Sequence, residues 1–506
     1  MAAHSFPDGI AVVVAESTPE AFLRQAARLG RGARLLELRL DSLGSVAAMV
    51  RVLERLARQP LRVPWIATCR PRSQGGSFEG AASAQLAVLA LSARAGASWV
   101  DVDGETLERF PPRLRAALLP PVGRIVSHHD FRRTPPNLQA LFHRLKRLGA
   151  DWVKMAVTAR TQADNARLLA MTRQHRRRVI SVAMGTVGVP GRVLALAAGS
   201  ALTYAAPDNG RATAPGQPTV SELRRVYRAE QLDSRTRVYG LLGNPVAHSL
   251  SPAMHNAAFA RARLNAVYLP FEARTPRELL GCIAPLRISG LSVTHPHKQA
   301  ILRHLDAIDP LADTIGAVNT IVVRAGGKLY GYNTDYVGVL RTLQRHVPLE
   351  AARVLLVGAG GAARACAFAL ATAGAYISVT SRRPAAASAL ARAVGGEAVP
   401  RRALRRRRFD AIVNCTPVGQ APDVDASPLR ANEINARVVF DLVYNPVETQ
   451  LLRLARRRGC RTVPGWQMLV EQGAAQFEIW TGLRAPLAVM RRAVLQGLRE
   501  SRGGLS

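Results

Sequence analysis

Only four lysines occur in this chain of 506 residues, although lysine and arginine together number 69. Arginine keeps its proton in proteins, whereas lysine can lose it and become a nucleophile. One of the four, Lys154, lies in the apolar stretch GADWVKMAVTAR (149–160), and SHHDF (127–131) belongs to the preceding predicted strand. A desolvated amine beside a histidine could attack a ketone while the imidazole moves protons. A solvent-facing lysine at a strand end explains the stretch equally well, but the retained lysine and the nearby histidine together favour the chemical interpretation.

A (β/α)8 TIM barrel would bring these two residues together. Short apolar runs alternate with amphipathic segments over the first 230 residues, as expected for strands separated by helices. The runs predicted as strands are GIAVVVAE, RLLELRLD, RVPWIATCR, GASWVDVD, GRIVSHHD, DWVKMAV, RRVISVAMG and SALTYAAP. Barrels place their chemistry at the carboxyl ends of the strands. The polar residues at those predicted ends are Glu37, Arg39, Arg70, His129 and Lys154.

A second chemistry is indicated by ARVLLVGAGGAARACAFAL (352–370), which reads as a strand, a glycine-rich turn and a helix. Such a turn lets the backbone approach a pyrophosphate at the helix N-terminus. The next predicted strand ends in Ser381-Arg382-Arg383, where arginines would accommodate a ribose 2′-phosphate, so the pattern favours NADP over NAD. Ordinary surface arginines in an arginine-rich chain are the alternative. The residues predicted to hold the dinucleotide are Gly358, Ala359, Gly360, Gly361, Ala362, Ser381, Arg382 and Arg383.

The composition describes a globular protein of two to four domains, with 48% hydrophobic and 21% charged residues. A formal charge of +34 raises nucleic-acid binding as a hypothesis. The charge is spread along the whole chain, however, and aromatic residues make up only 5%. We therefore expect no nucleic-acid partner, and we interpret RRALRRRR (401–408) as a solvated face.

The cysteines, the termini and the hydropathy favour a cytoplasmic protein. Five cysteines are scattered singly, which is typical of a reducing compartment. The first residues read as neither a signal nor a transit peptide, and no apolar run reaches the length of a membrane span. His295 and His297 form a doublet with no third ligand at suitable spacing, so no metal is expected. A monomer is compatible with the sequence.

Residues 8–228 resemble type I 3-dehydroquinate dehydratase. The matching features are Glu37-Leu38-Arg39 with Asp41, Arg70, Ser127–Phe131, Lys154, Arg192 and ATAPGQP (212–218). The resemblance implies that Lys154 forms a Schiff base with the substrate ketone and that His129 removes the adjacent C2 proton. His129 would return a proton to the departing hydroxyl, because an imidazole pKa lies near working pH. Arg192 would bind the substrate carboxylate, and the further residues implied to position or cover the substrate are Glu37, Arg39, Arg70, Thr213 and Gln217.

One residue departs from this family's pattern. The family usually reads Glu-Gly-Gly after the arginine that corresponds to Arg70, and its glutamate supports the histidine. This chain has Gln74-Gly75-Gly76. A neutral amide can orient His129 by hydrogen bonding but cannot stabilise its cation, and Glu79 is a candidate substitute.

Residues 237–506 closely resemble shikimate dehydrogenase. The matching motifs are GNPVAHSLSPAMHN, GLSVTHPHK, GAVNTI, GYNTDYVG, NCTPVG (414–419), DLVYNP (441–446) and GWQMLVEQ (465–472). The resemblance implies that Lys298 and Asp335 form a catalytic pair, which delivers a proton to the developing alkoxide while hydride arrives from NADPH. The residues implied to bind substrate are Ser249, Ser251, Thr294, Asn319 and Gln472, and those that complete the cofactor site are Thr416 and Gly465. Ser292 stands where many relatives carry Asn.

Together the two resemblances imply an α/β chain with two activities. The expected parts are a barrel (1–229), a linker (230–236), a substrate-binding domain (237–345 plus 480–506) and a Rossmann-type NADP domain (346–479). Dehydration of 3-dehydroquinate would yield 3-dehydroshikimate, the ketone that the second site would reduce to shikimate. The alternatives are a quinate or shikimate dehydrogenase with an inactive barrel and, from another class, a basic nucleic-acid-binding protein. Ser251 and Thr334 favour shikimate over quinate.

Overall fold

The computed structural model describes residues 6–7, 9–118, 121–210, 213–247 and 249–503. Of the segments interpreted above, Ala212, His248 and both chain ends lie outside these residues. The chain divides into two compact units: the first comprises the residues up to Thr236 with Leu269–Ala273 and Glu278–Leu286, and the second comprises the remainder. Among the described residues, no helix has both the length and the hydropathy needed to cross a membrane.

The first unit contains the predicted (β/α)8 barrel. Its strands form one sheet in the order β7-β6-β5-β4-β3-β2-β1-β8, and neighbouring strands pair in parallel. Ala201, at the entrance to the last strand, donates its N–H to the carbonyl oxygen of Val179 at 2.8 Å and so closes the ring. The strands are β1 Ile10–Val14, β2 Leu36–Arg39, β3 Trp65–Thr68, β4 Trp99–Asp103, β5 Gly123–Asp130, β6 Trp152–Thr158, β7 Val179–Met184 and β8 Thr203–Ala205.

Helices surround these strands, and two apolar layers hold them in place. Side chains alternate across a strand, so one face of each strand packs on the helices and the other fills the barrel interior. Polar caps set where helices begin: the Thr18 and Ser45 side chains accept the N–H groups of Ala21 and Ala48. The helices are α1 Pro19–Leu29, α2 Val46–Arg58, α3 Ala82–Arg94, α4 Gly104–Glu108, α5 Pro112–Leu118, α6 Leu138–Lys146, α7 Gln162–Gln174 and α8 Val189–Ala198.

A mixed six-stranded sheet follows the barrel in the chain. Its order is β10-β9-β11-β13-β14-β12, with β9 and β11 parallel and β13 antiparallel to β11. The strands are β9 Arg237–Gly243, β10 Ala266–Glu272, β11 Ile288–Val293, β12 Ala307–Ile308, β13 Thr320–Val323 and β14 Leu329–Tyr332. The helices of this region are α9 Ser251–Arg261, α10 Pro276–Leu280, α11 Ile283–Leu286, α12 Pro310–Ile315 and α13 Asp335–Leu343.

The third sheet is the predicted Rossmann-type sheet. It is parallel throughout, in the order β17-β16-β15-β18-β19-β20. The chain order reverses between β15 and β18, and open sheets bind ligands at the carboxyl ends of the strands that flank such a reversal. The elements are β15 Arg353–Val357, α14 Gly361–Thr372, β16 Tyr376–Thr380, α15 Pro384–Ala393, β17 Glu397–Ala398, β18 Phe409–Asn414, β19 Ala436–Asp441, α16 Gln450–Arg457 and β20 Arg461–Val463.

Two helices end the described chain, α17 Trp466–Thr481 and α18 Leu487–Gly503. The buried face of α17, which includes Val470, Ala474 and Phe477, shares one apolar cluster with Tyr239 of β9 and Met254 of α9. Since this face packs with the mixed-sheet elements, we propose that the substrate-binding domain resumes at residue 466 and not at the expected 480. The expected linker 230–236 carries the end of a short 3-10 helix, Ala229–Gln231, and a turn from Asp233 to Thr236.

Candidate active sites

An open cavity of about 480 Å³ lies toward the carboxyl ends of the barrel strands. Polar and charged side chains from β2, β5, β6 and β8 meet there, because the barrel directs the ends of separate strands to one face. All the residues predicted to act in the barrel line this cavity, namely Glu37, Arg39, Arg70, His129, Lys154, Arg192, Thr213 and Gln217.

Lys154 is buried, with its side-chain nitrogen between two carboxylates. Nζ lies 2.8 Å from Asp101 Oδ2 and 3.3 Å from Glu37 Oε1. It also lies 3.9 Å from the centre of the Tyr204 ring, in a cation–π contact. The sequence predicted apolar surroundings from the neighbours of Lys154 along β6. The structure corrects that prediction, because the side chain contacts charged residues of other strands.

Asp101 is the residue on which this network depends, and sequence reasoning missed it. Its carboxylate accepts from Lys154, from Arg70 Nη2 at 2.7 Å and from Ser127 Oγ at 2.6 Å. Burial would raise the pKa of the Asp101 carboxyl, but the charges of Arg70 and Lys154 hold it well below its usual range. Asp101 therefore stays ionised and fixes the positions of both cations.

The two arginines nearest the network are engaged by carboxylates of the protein. Arg70 also donates to Asp103 Oδ1 at 2.5 Å, and Arg39 makes a two-bond ion pair with Asp41 at 2.9 and 2.8 Å. Burial and the nearby Asp101 charge raise the pKa of Asp103. Arg39 and Arg70 therefore shape the charge of the cavity while part of their donor capacity is already used by carboxylates of the protein.

His129 is neutral in the free protein. Burial lowers the pKa of its imidazole well below 6.5, and the charges of Arg70 and Lys154 lower it further. The prediction of a pKa near working pH was therefore wrong, since a buried ring beside two cations resists a third charge. A neutral imidazole can accept a proton, and His129 Nδ1 is buried with no hydrogen-bond partner. His128, on the other face of β5, is half-buried and does not line the cavity.

Gln74 supports the backbone of His129 and not its ring. The Gln74 side-chain oxygen accepts the His129 backbone N–H at 2.9 Å. Gln74 is itself buried, in the turn that ends at Gly75 against Phe131. Glu79 does not replace a supporting carboxylate, because it forms an exposed ion pair with Arg72 away from the cavity lining.

Arg192 presents an unused charged donor to the cavity. The residue is 1% exposed, and its Nε donates to the Ala183 carbonyl oxygen at 2.7 Å. Its Nη2 is buried and has no partner in the described part of the chain. Burial lowers the pKa of Arg192 to about 10. A cation buried without a counter-ion is costly, and a ligand carboxylate would relieve that cost.

The loop that carries Thr213 and Gln217 is held over the cavity by internal contacts. Gln217 Oε1 accepts from the backbone N–H of Thr213 at 2.8 Å and from its hydroxyl at 3.0 Å. Gly185 donates its N–H to the Pro215 carbonyl oxygen at 3.0 Å. Gly216 has a φ of 67°, and a Cβ there would lie 2.2 Å from the Gly185 oxygen, so only glycine allows this close approach.

The predicted pair of the second site is present in the structure. Lys298 Nζ lies 2.5 Å from Asp335 Oδ2, at the N-terminus of α13. Asn319 donates to Asp335 Oδ1 at 2.8 Å and to Thr334 Oγ1 at 3.0 Å. Both oxygens of the Asp335 carboxylate are thus engaged, and the Lys298 side chain is 29% exposed.

The other predicted substrate residues lie at the start of α9, directly after β11 and on α17. Ser249 and Ser251 are adjacent at the start of α9, where Ser249 Oγ accepts the Ser251 N–H at 3.2 Å. Thr294 follows β11, and its N–H donates to Leu242 of β9 at 2.9 Å. Gln472 is buried on α17, 9% exposed, and donates to the Leu469 carbonyl oxygen.

A buried polar network that the sequence did not predict lies behind these residues. Gln476 accepts from Ser292 at 2.9 Å and donates to Thr320 Oγ1 at 3.1 Å, and the Tyr268 hydroxyl donates to Ser292 at 2.7 Å. Ser292, the residue that departs from many relatives, is therefore 5% exposed and satisfied within the protein. Thr334 is also engaged, since its N–H donates to Asn319 Oδ1 at 2.6 Å.

The predicted nucleotide site is an open cavity of about 1640 Å³ beside β15 and β18. Gly358 has a φ of 116° and approaches Thr416, whereas a Cβ on Gly360 or Gly361 would meet nothing within 4 Å. The protein's own packing therefore does not require the last two glycines, and their absent side chains leave the N-terminus of α14 open to a pyrophosphate. Of the predicted cofactor residues, this cavity is lined by Gly358, Ala359, Gly360, Ser381, Arg382, Arg383 and Thr416. Gly361 and Ala362 begin α14, and the buried Gly465 lies between β20 and α17.

Three arginines are among the residues that line this cavity. Arg382 and Arg383 are exposed and follow β16, where Ser381 Oγ donates to the Arg383 carbonyl oxygen at 2.7 Å. Arg401, the first residue of the arginine run, also lines the cavity and forms a two-bond ion pair with Glu433. Within the described part of the chain, no group of three or more His, Cys, Asp or Glu residues could hold a metal ion.

Sequence reasoning did not single out Asp101, which contacts Lys154, or Tyr204, which lines the cavity. Both lie inside runs that were correctly predicted as strands, GASWVDVD and SALTYAAP. The available signal was two carboxylates, Asp101 and Asp103, at alternate positions of an otherwise apolar buried strand. Such a pair points to one face and requires cations there.

Both halves of the chain match known protein families. Residues 10–234 match the family model for type I 3-dehydroquinase, 241–321 match the shikimate dehydrogenase substrate binding domain, and 465–495 match the shikimate 5'-dehydrogenase C-terminal domain. The second half is 45% identical to a shikimate dehydrogenase (NADP(+)) of Moorella thermoacetica, over 54% of this chain and 98% of that protein. A solved shikimate dehydrogenase in complex with NADP+ is 38% identical, with a TM-score of 0.50, over 53% of this chain and 97% of that chain.

One relative spans both halves. A bifunctional 3-dehydroquinate dehydratase/shikimate dehydrogenase, chloroplastic, of Arabidopsis thaliana is 35% identical over 497 residues, which cover 94% of this chain and 82% of that protein. The match runs through the barrel, the mixed sheet and the Rossmann-type sheet in the same order. The chain therefore belongs to the family of bifunctional 3-dehydroquinate dehydratase/shikimate dehydrogenases.

Proposed function

We propose that this chain dehydrates 3-dehydroquinate to 3-dehydroshikimate in the barrel and reduces 3-dehydroshikimate to shikimate, with NADPH, in the second unit. The observation that carries the first activity is one cavity that holds Lys154, a neutral His129 and the unpartnered Arg192 donor. The second activity is supported by the Lys298–Asp335 pair and by the open cradle at the N-terminus of α14. The product of the first reaction is the substrate of the second.

In the barrel, Arg192 binds the substrate carboxylate and the loop around Gln217 covers it. Lys154 gives up one proton of its ammonium group and attacks the ketone carbon; that proton leaves with the ketone oxygen as water, which gives an iminium that withdraws electrons from the adjacent carbon. His129 accepts the C2 proton at its neutral ring and transfers it to the departing C1 hydroxyl, which leaves as water. Hydrolysis of the iminium by water then releases 3-dehydroshikimate and restores the amine. Asp101 keeps Lys154 in place through these steps.

In the second unit, bound NADPH supplies a hydride to the ketone carbon. The Lys298 ammonium donates a proton to the oxygen as it becomes an alkoxide, and solvent restores that proton. Asp335 holds Lys298 in position, because its second oxygen is fixed by Asn319. Ser249, Ser251, Thr294, Asn319 and Gln472 surround the substrate, and Thr416 and Gly465 flank the cofactor.

We assign the cofactor as NADP and not NAD. The strand that would carry an acidic residue for a ribose 2′-hydroxyl ends in two exposed arginines, Arg382 and Arg383. Their positive charge suits a 2′-phosphate, and an acid would repel it. The five free cysteines fit a reducing, cytoplasmic compartment.

Conversion of 3-dehydroquinate by the purified chain tests the proposal. With NADPH present, we expect shikimate to accumulate and NADPH to be oxidised; without NADPH, 3-dehydroshikimate should accumulate. In the reverse direction, shikimate with NADP should be oxidised more efficiently than quinate with NADP or NAD. Absence of 3-dehydroshikimate would refute the barrel activity, and a preference for quinate would refute the second assignment.

A further inference from the structure

Three polar atoms of residues that line the barrel cavity are buried and have no hydrogen-bond partner among the residues that the structure describes. They are His129 Nδ1, Arg192 Nη2 and the hydroxyl oxygen of Tyr204. Buried polar groups are nearly always hydrogen-bonded, so an unpartnered set that shares one cavity marks the atoms that a ligand satisfies. The first two have roles in the proposed mechanism, and the Tyr204 hydroxyl has none.

Tyr204 occupies a position from which it can contact the reacting molecule. It lies on β8, is 4% exposed, and belongs to the apolar cluster inside the barrel. Its ring lies under Lys154 Nζ at 3.9 Å, so the side chain is held beside the amine that attacks the ketone. Burial and the charges of Glu37 and Asp101 raise the pKa of the Tyr204 hydroxyl well above 10, so the group is protonated and can donate.

We propose that Tyr204 is a substrate-binding residue of the barrel, whose hydroxyl donates a hydrogen bond to an oxygen of the oxygen-rich carboxylic acid bound there. The ring holds Lys154 from below, and the hydroxyl adds a neutral donor to the charged donor of Arg192. This inference rests on the proposed dehydratase function and adds one residue to its substrate contacts.

Tyr204→Phe isolates the hydroxyl, because phenylalanine keeps the ring and its contact with Lys154. Thr203→Val is the matched control: Thr203 is the preceding residue of β8, and its hydroxyl is also buried without a partner but does not line the cavity. Thermal unfolding reports whether each variant is folded, because the dehydrogenase site belongs to the other compact unit and does not report on the barrel.

We expect Tyr204→Phe to lower kcat/KM of the dehydratase by about tenfold, mostly through a higher KM, since one hydrogen bond to the ligand is lost. The melting temperature of the ligand-free protein should not fall, because the hydroxyl has no partner there to lose. Thr203→Val should leave KM unchanged.

An unchanged KM in Tyr204→Phe would overturn the inference, and so would a lower melting temperature of the free variant, which would indicate a role within the protein. A wild-type barrel without dehydratase activity would overturn the proposed function together with the inference. An active wild type with an unaffected Tyr204→Phe variant would overturn the inference alone.

Discussion

Replacement of Arg192 by methionine should weaken ligand binding but should not lower the stability of the ligand-free protein. The Arg192 side chain is 1% exposed, and within the described residues its one hydrogen-bond partner is the Ala183 carbonyl oxygen. Burial lowers its pKa from the ordinary arginine value to about 10, and at about 1.4 kcal/mol per pKa unit this shift corresponds to about 3 kcal/mol against the charged form. A cation whose pKa is lowered on folding carries this cost at every pH below the folded pKa, so the cost is fully present at pH ~7.

Methionine removes that cost and also the hydrogen bond to Ala183, which contributes about 1 kcal/mol. We therefore expect the ligand-free barrel of Arg192→Met to be as stable as the wild type or more stable by about 2 kcal/mol. A substrate carboxylate loses its counter-ion in the same variant, so kcat/KM of the dehydratase should fall by about 100-fold or more.

The assay combines thermal unfolding of the free protein with dehydratase kinetics, followed by the ultraviolet absorbance of the enone product. Arg24→Met, an exposed arginine of α1, is the control and should change neither quantity. A marked loss of stability in free Arg192→Met would show that the guanidinium is paired in the free protein. A wild-type KM would show that the carboxylate binds elsewhere. Either result would refute the reasoning.

Three further variants address single parts of the two sites. Gln74→Glu places a carboxylate 2.9 Å from the backbone nitrogen of His129, so the pKa of the His129 imidazole should rise. The acidic limb of the dehydratase pH profile should then move to higher pH. An unmoved limb would mean that the new charge does not act on the ring. Lys298→Met should lower kcat of the dehydrogenase by about 100-fold or more while dehydratase activity is retained. Lys328→Met, in an exposed turn, is its control. Equal losses of dehydrogenase activity in the two variants would contradict the proton-donor role of Lys298. Arg382→Ala with Arg383→Ala should raise KM for NADPH but not for NADH, whereas Arg402→Ala, exposed and outside the cavity lining, should change neither; a parallel rise with both cofactors would argue against 2′-phosphate recognition.

The fold could be predicted from the sequence because its parallel strands are buried on both faces. Strands of this kind read as short continuous apolar runs, and all eight runs predicted in the first unit are strands of the barrel. The glycine-rich turn likewise predicted the β15–α14 junction, because the backbone there needs residues without side chains. The point at which the chain returns from the Rossmann-type sheet to the mixed sheet was harder to predict, because α17 packs with Tyr239, which lies more than 200 residues earlier in the sequence.

The sequence predicted which residues belong to the site, because their types suit the chemistry, but it did not predict their electrostatic state. Lys154, His129 and Arg192 were found from their types and order, and the barrel does bring them to one cavity. Their electrostatic state was not predictable, because Asp101 reaches Lys154 across 53 positions of sequence through the closure of the barrel. The pKa of His129 was misjudged for the same reason, since Arg70 and Lys154 become its neighbours only in the folded chain. Gln74 was expected to support the imidazole, but the turn that carries it presents its oxygen to the backbone.

Borohydride reduction during turnover with 3-dehydroquinate, followed by mass spectrometry of the digested chain, tests the central claim most directly. The account expects one stable adduct, on Lys154, and expects Lys154→Met to abolish it without affecting shikimate oxidation by the second unit. An adduct on Lys146, or rapid dehydration without any trapped adduct, would contradict the account.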